Sequence, residues 1–270
     1  MDDCGTRRIV VIKIGGSVFV DDASYRRAAR FLVRRLHQCS RERFVVVVSA
    51  QKGLTDELER LARGITGSAS ARSLDLLWST GEMRSVALLA LYLEAVGVSA
   101  VGLNVHETGL EFSSDPKACP ARPRTTERSL EVALAEHAVV VVPGFLATRL
   151  DGAIVSLGRG GSDLSAVLLA VGLGASHCEL VKDVPGYFED DPRENARARH
   201  LPSLSFTDAL QMADRGCELV QARALSAAAE ANLSLVIRSM EERAPVSVIS
   251  SGSKNGSGAN PHDEPVATGA

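Results

Sequence analysis

The sequence predicts an α/β fold, with a parallel sheet that carries helices on both faces. Three observations support this. Short runs rich in Val and Ile alternate with longer amphipathic segments. Several of those runs are continuously apolar, as expected of strands buried on both sides. With 270 residues and 45% hydrophobic content, the chain can bury a full core in one large domain or in two closely joined lobes.

The elements follow in order. Ile9–Ile14 is the first strand. Asp22–Cys39 is a helix with Tyr25, Ala28, Ala29, Leu32, Val33 and Leu36 on one stripe and arginines opposite. Phe44–Val48 is the next strand. Thr55–Arg63 is a helix with Thr55 as its expected N-cap and Asp56 and Glu57 in its first turn. Ser79-Thr80-Gly81-Glu82 opens a helix over Glu82–Ala95. Strand Ala100–Leu103, helix Thr126–His137 and strand Val139–Val142 come next, then helix Asp163–Leu173 and strand Cys178–Val181. Helices Phe206–Arg215 and Val220–Asn232 precede strands Leu235–Ile237 and Val246–Ile249. Residues 1–251 read as the folded domain, and the polar, Gly- and Ser-rich residues 252–270 as a disordered tail.

Composition excludes several classes. The net charge of -3 gives no basic field for nucleic acid or an anionic membrane. No apolar run reaches the roughly 18 residues that a membrane span needs. Five cysteines without CxxC spacing argue against a zinc site or a disulfide framework, so a cytoplasmic location is expected. The chain has only five lysines against twenty-five arginines, so a lysine at a motif position is informative.

In such folds ligands sit beyond the carboxyl ends of the strands, so the loops after strands should carry the chemistry. The first loop reads Lys13-Ile14-Gly15-Gly16-Ser17. Its glycines let backbone N–H groups approach an anion, and its lysine can neutralise phosphoryl oxygens. A plain tight turn is the bland alternative. The second loop offers Ser49 and Gly53 to a substrate. Glu82 reads either as an acid for an ammonium group or as a favourable charge at a helix start. Leu157–Asp163 (LGRGGSD) packs three glycines, Arg159 and Asp163 into seven residues. Arginine suits bidentate capture of carboxylate or phosphate, and a helix N-terminus suits an anion. Asp163 is either an aligning acid or an N-cap. Lys182–Arg193 (KDVPGYFEDDPR) offers aromatics for a purine, acids for ribose and Arg193 for phosphate, unless it is only a solvated turn.

LGRGGSD and KDVPGYFEDDPR, with VVVVSAQKGLTDEL (Val45–Leu58), STGE (Ser79–Glu82), VVPGF (Val141–Phe145) and VIRS (Val236–Ser239), resemble the amino-acid kinase family. The likeness is specifically to the catalytic domain of aspartokinases and runs from about Arg8 to Ser251. It implies a three-layer α/β/α sandwich on an open, mainly parallel sheet. The N-terminal part would bind the acceptor and the C-terminal part ATP with Mg²⁺. The implied reaction is phosphorylation of an amino-acid carboxylate, L-aspartate to 4-phospho-L-aspartate, by a homodimer. Lys13 and Asp163 would be catalytic. Ser17, Ser49, Glu82, Arg159 and Ser162 would hold the substrate. Gly15, Gly16, Lys182, Asp183, Tyr187, Asp191 and Arg193 would hold the nucleotide, and no residue is assigned as a metal ligand.

The chain departs from that pattern in four places. Its first loop, KIGGSV, is one residue shorter than the usual KFGGTSV. Glu218 stands where the family has a lysine near the phosphates, and Gln221 where it has a histidine. The C-terminal regulatory ACT domains are not expected, nor feedback inhibition through them. The alternatives are a glutamate-type or acylated amino-acid acceptor, or a non-catalytic nucleotide-binding homologue.

Overall fold

The structure is a computed structural model and describes residues 8–39, 41–112, 121–123, 129–158, 160–195 and 197–252. The chain runs through β1 (Arg8–Ile14), α1 (Asp22–Gln38), β2 (Glu42–Val48), α2 (Leu54–Ile65), α3 (Ala71–Ala95) and β3 (Ala100–Gly102). It continues through β4 (Leu110–Phe112), β5 (Ala121–Pro123), α4 (Ser129–Glu136), β6 (Val139–Pro143), β7 (Leu146–Thr148) and β8 (Ile154–Ser156). The second half holds α5 (Gly161–Gly172), β9 (Cys178–Val181), β10 (Tyr187–Phe188), β11 (His200–Leu201) and β12 (Ser203–Leu204). It closes with α6 (Phe206–Asp214), α7 (Ala222–Glu230), β13 (Leu235–Arg238) and β14 (Ser247–Ile249).

Eight strands form one sheet in the order β12-β14-β13-β9-β1-β2-β6-β3. Every neighbouring pair is parallel except β13–β14. Alternation along the strands divides the core in two. Val10, Ile12 and Ile14 face α1 and α3 with Val46, Val48 and Val141. Val11, Val45, Val47 and Leu180 face α4, α5, α6 and α7. Each fully buried Val, Leu or Ile contributes about 1.5–3 kcal/mol, and both faces of the sheet are covered, as anticipated.

Two buried charges break the apolar pattern of the central strands, and both have partners. Lys13 shares the α5 face of β1 with Val11. Glu179 of β9 points to the α1 side, where Arg35, Arg238 (3.3 Å) and His177 (3.2 Å) meet it.

Several sequence-based boundaries shift. The helix expected to open at Glu82 begins eleven residues earlier, at Ala71, where the Ser70 Oγ accepts from the Ser73 N–H at 3.2 Å. Ser79 and Thr80 do not cap it, because their hydroxyls bond back to Leu76 and Leu77 carbonyls at 2.7 Å each. Gly81 lies inside the helix because a Cβ there would come 3.2 Å from Ala50 Cβ and 3.3 Å from Leu54 Cδ2. Thr55 is not the cap of α2. Gly53, at φ 82°, holds that position and leaves the helix without a side-chain cap. The four-stranded sheet β5-β4-β7-β8 and the hairpin β10-β11 were not anticipated. Residues 124–128 and the expected tail beyond Gly252 lie outside the described residues.

Candidate active site

The site lies at the carboxyl end of the sheet. β1 ends in Ile14, and its neighbour β9 ends in Val181, paired with it. Lys13 points to the α5 side, and so does Lys182, two residues beyond Leu180 on the same face. The first turn of α5 enters between them and presents Asp163. Lys13 Nζ lies 2.8 Å from Asp163 Oδ1, and Lys182 Nζ lies 2.7 Å from Oδ2. All three side chains are largely buried. Burial alone would raise the Asp163 pKa, but Lys13 and Lys182 outweigh it and hold the group at about 2. The Lys182 pKa is lowered by burial, against the pull of Asp163. Asp163 is therefore a permanent anion that aligns two ammonium groups. It is not the N-cap of α5, which is Gly160 at φ 74°, where a Cβ would collide with the Gln221 side chain.

Two cavities meet at this ion cluster. One, of about 430 Å³, is lined by Lys13, Ser49, Glu82, Ser162 and Asp163. The other, of about 640 Å³, is lined by Asp183, Tyr187, Phe188, Asp191 and Arg193. Ser17, Lys182 and Glu218 line both and mark the seam. Ser17 Oγ donates to Asp183 Oδ1 at 3.3 Å, tying the first loop to the loop after β9.

On the first side, Glu82 comes from the middle of α3 and is 4% exposed. Its Oε2 has no hydrogen-bond partner among the described residues. Burial raises its pKa to about 8, against the opposing effects of an Ala50 backbone bond and the Lys13 charge. Glu82 is thus poised to ionise when a cation arrives. Gly16 packs so tightly that a Cβ would stand 2.7 Å from the Ala50 carbonyl oxygen. Gly15 lines neither cavity and donates its N–H to the Val181 carbonyl at 3.4 Å. Arg159 lies outside the described residues.

On the second side, Arg193 forks onto Asp191, with Nε 3.1 Å from Oδ1 and Nη2 2.9 Å from Oδ2, and lies 4.0 Å from Asp183. Tyr187 is a buried floor residue. Its N–H donates to Ser247 Oγ at 2.8 Å, and its hydroxyl has no partner among the described residues. Phe188, half-buried and packed edge-on against His200, is the more accessible ring. Glu218 is exposed at the seam with no ion pair among the described residues, so it does not turn away. Arg215 lines the same cavity and supplies a nearby cation. Among the described residues, no three His, Cys, Asp or Glu side chains cluster closely enough to hold a metal ion unaided.

Phe145 was not anticipated. It lines the first cavity in the left-handed region at φ 66° and stands edge-on to Trp78 at 6.2 Å. Pro143-Gly144 before it signals a turn, but nothing in a phenylalanine signals positive φ.

The model of the amino acid kinase family matches residues 8–239. The chain belongs to the amino acid kinase family. Among curated members, an aspartokinase of Thermus thermophilus is 35% identical over 234 residues, 86% of this chain and 56% of that protein. The aspartokinase of Mycobacterium tuberculosis is 35% identical over 262 residues, 97% of this chain and 61% of that protein. The chain thus spans little more than half the length of these amino acid kinases. Among solved structures, the aspartate kinase from Synechocystis superposes with a TM-score of 0.76 at 32% identity, covering 90% of this chain and 40% of that one. E. coli aspartokinase III in complex with aspartate and ADP gives 0.75 at 25% identity, covering 92% and 65%. UMP kinase from Bacillus anthracis, at 16% identity and a TM-score of 0.63, shares the fold.

Proposed function

We propose that the chain transfers the γ-phosphoryl group of ATP to the side-chain carboxylate of L-aspartate, giving 4-phospho-L-aspartate and ADP. The observation that carries this is the Lys13–Asp163–Lys182 cluster at the seam of two cavities. In the reaction a carboxylate oxygen bonds to Pγ as the bond from Pγ to the β-phosphate's bridging oxygen breaks. Both partners are anions, so the main task is charge neutralisation and alignment. The acceptor is already ionised at neutral pH and needs no general base. Asp163, held near pKa 2, serves instead to fix the two ammonium groups. The N–H groups at the α5 N-terminus add a further positive end at the same point.

The cavity holding Glu82 would take the amino acid, with Glu82 ionising against its ammonium group and Ser49, Ser162 and Arg159 receiving carboxylates. The larger cavity would take the nucleotide, with Asp183, Asp191 and Arg193 around ribose and phosphates. Mg²⁺ fits a site of this kind, because it is carried by phosphates and water with one or two carboxylates rather than by a protein cage. Asp183 would hold it, and it would neutralise phosphate charge. The structure of E. coli aspartokinase III in complex with aspartate and ADP supports an amino acid and a nucleotide as the two ligands.

The short KIGGSV loop and Glu218 beside the acceptor cavity favour a second reading, the same chemistry on another acceptor. An ADP-release assay with aspartate, glutamate, N-acetylglutamate and UMP separates the two. Turnover with glutamate alone overturns the acceptor. No turnover with any acceptor, despite ATP binding, overturns the kinase.

A further inference from the structure

A third cavity, of about 480 Å³, opens beside the site on the α1 side of the sheet. Its walls are the loops that follow β1, β9 and β13, and its outer face is α1. Arg27, Arg30 and Arg34 line it at i, i+3 and i+7, one stripe of the helix, and they line neither of the other two cavities. The neighbouring arginines have other roles. Arg26 lies over the Tyr92 ring, and Arg35 holds Glu179.

Within the stripe, the outer members lean on exposed acids. Arg27 is 3.4 Å from Asp21, and Arg34 is 2.7 Å from Glu242. Arg30, between them, has no hydrogen bond or ion pair among the described residues. Exposed ion pairs of this kind are weak and exchange readily for a better partner. The described cationic lining is Arg27, Arg30, Arg34 and Lys182, against Asp183 and Glu241. Three planar guanidinium forks around one concavity suit phosphate or carboxylate groups, which they bind bidentately.

We propose that this arginine-lined pocket is a second anion site, taking a small polyanion that carries phosphate or carboxylate groups. It is separate from the phosphoryl-transfer centre but shares Ser17, Lys182 and Asp183 with the nucleotide-side cavity. A ligand there would press on the loop that presents Lys182 to Asp163.

The test uses the full chain carrying Lys13→Ala, which weakens anion binding at the phosphoryl-transfer centre. Inorganic pyrophosphate and citrate are titrated calorimetrically, as the phosphate and carboxylate probes. At least one should bind, and adding Arg27→Ala and Arg30→Ala should weaken it by about tenfold or more. Arg30→Gln alone should give a smaller loss, and it serves if the larger variant does not fold. Binding of neither probe, or binding that the arginine substitutions leave unchanged, overturns the proposal.

Discussion

Lys13 and Lys182 share one carboxylate, so each charge in the cluster depends on the other two. Lys13→Ala should lower kcat by about 10²–10³-fold, the usual loss when one preorganised donor to developing charge is removed. An ADP-release assay reads the rate, and a melting curve should show the fold retained. Asp163→Asn is a different change. It leaves two buried ammonium groups facing each other, and breaking a buried pair costs about 3–5 kcal/mol. Urea denaturation should show that loss, whereas an unchanged midpoint would mean that the ions relax into water. Glu218→Lys should tighten ADP binding by about tenfold at low salt and less at high salt, because it removes an unpaired anion at the seam. Calorimetry in both salts checks this, and weaker binding would show that Glu218 contributes through a cation. The residue types of this cluster are legible in the sequence. Which way Asp163 faces is not, because an acid in a helix first turn serves equally well as a cap.

Helix α3 shows why element boundaries are harder to read than elements. Ser79-Thr80-Gly81 has the composition of a helix start, and only the contact of Gly81 with Ala50 and Leu54 makes it a helix interior. Gly81→Val should therefore push α2 and its leading loop off α3, at a cost of about 1–3 kcal/mol for overpacking. Because that loop also carries Ser49, the KM for the acceptor should rise along with the loss of thermal stability. A normal KM in a destabilised variant would separate the two effects. The long Val and Ile runs announced β1, β2 and β6 because a two-sided core leaves no polar face to confuse the pattern. Strands of two or three residues, such as β10 and β11, carry too few side chains for any period. Gly53 displaced Thr55 as the α2 cap because the chain needs a left-handed residue there more than it needs a hydroxyl.

Across the whole molecule, the buried acids give stability a definite pH profile. Asp163 has a depressed pKa, so its contribution is present above about pH 4 and is lost as pH falls toward 2. Glu82 acts in the opposite sense. Its raised pKa makes its contribution complete below about pH 4.5 and lost as pH rises through 8. Thermal melts should therefore fall from about pH 5 to about pH 9 in the parent chain, and Glu82→Gln should flatten that limb. Parallel curves would place the alkaline loss elsewhere. The layered architecture was legible in the sequence because strand and helix alternate throughout. The small sheet β5-β4-β7-β8 was not, because its strands are short. The alternation along β1 has one more consequence. Val10, Ile12 and Ile14 look one way, and Val11 and Lys13 the other. Removing a single residue upstream of Lys13 would keep a run of interchangeable Val and Ile intact. It would also send the ammonium group through the sheet into the oil beneath α1. The reactive centre is thus encoded by parity, and an odd-numbered slip would silence the chain while sparing most of its hydrophobic lettering.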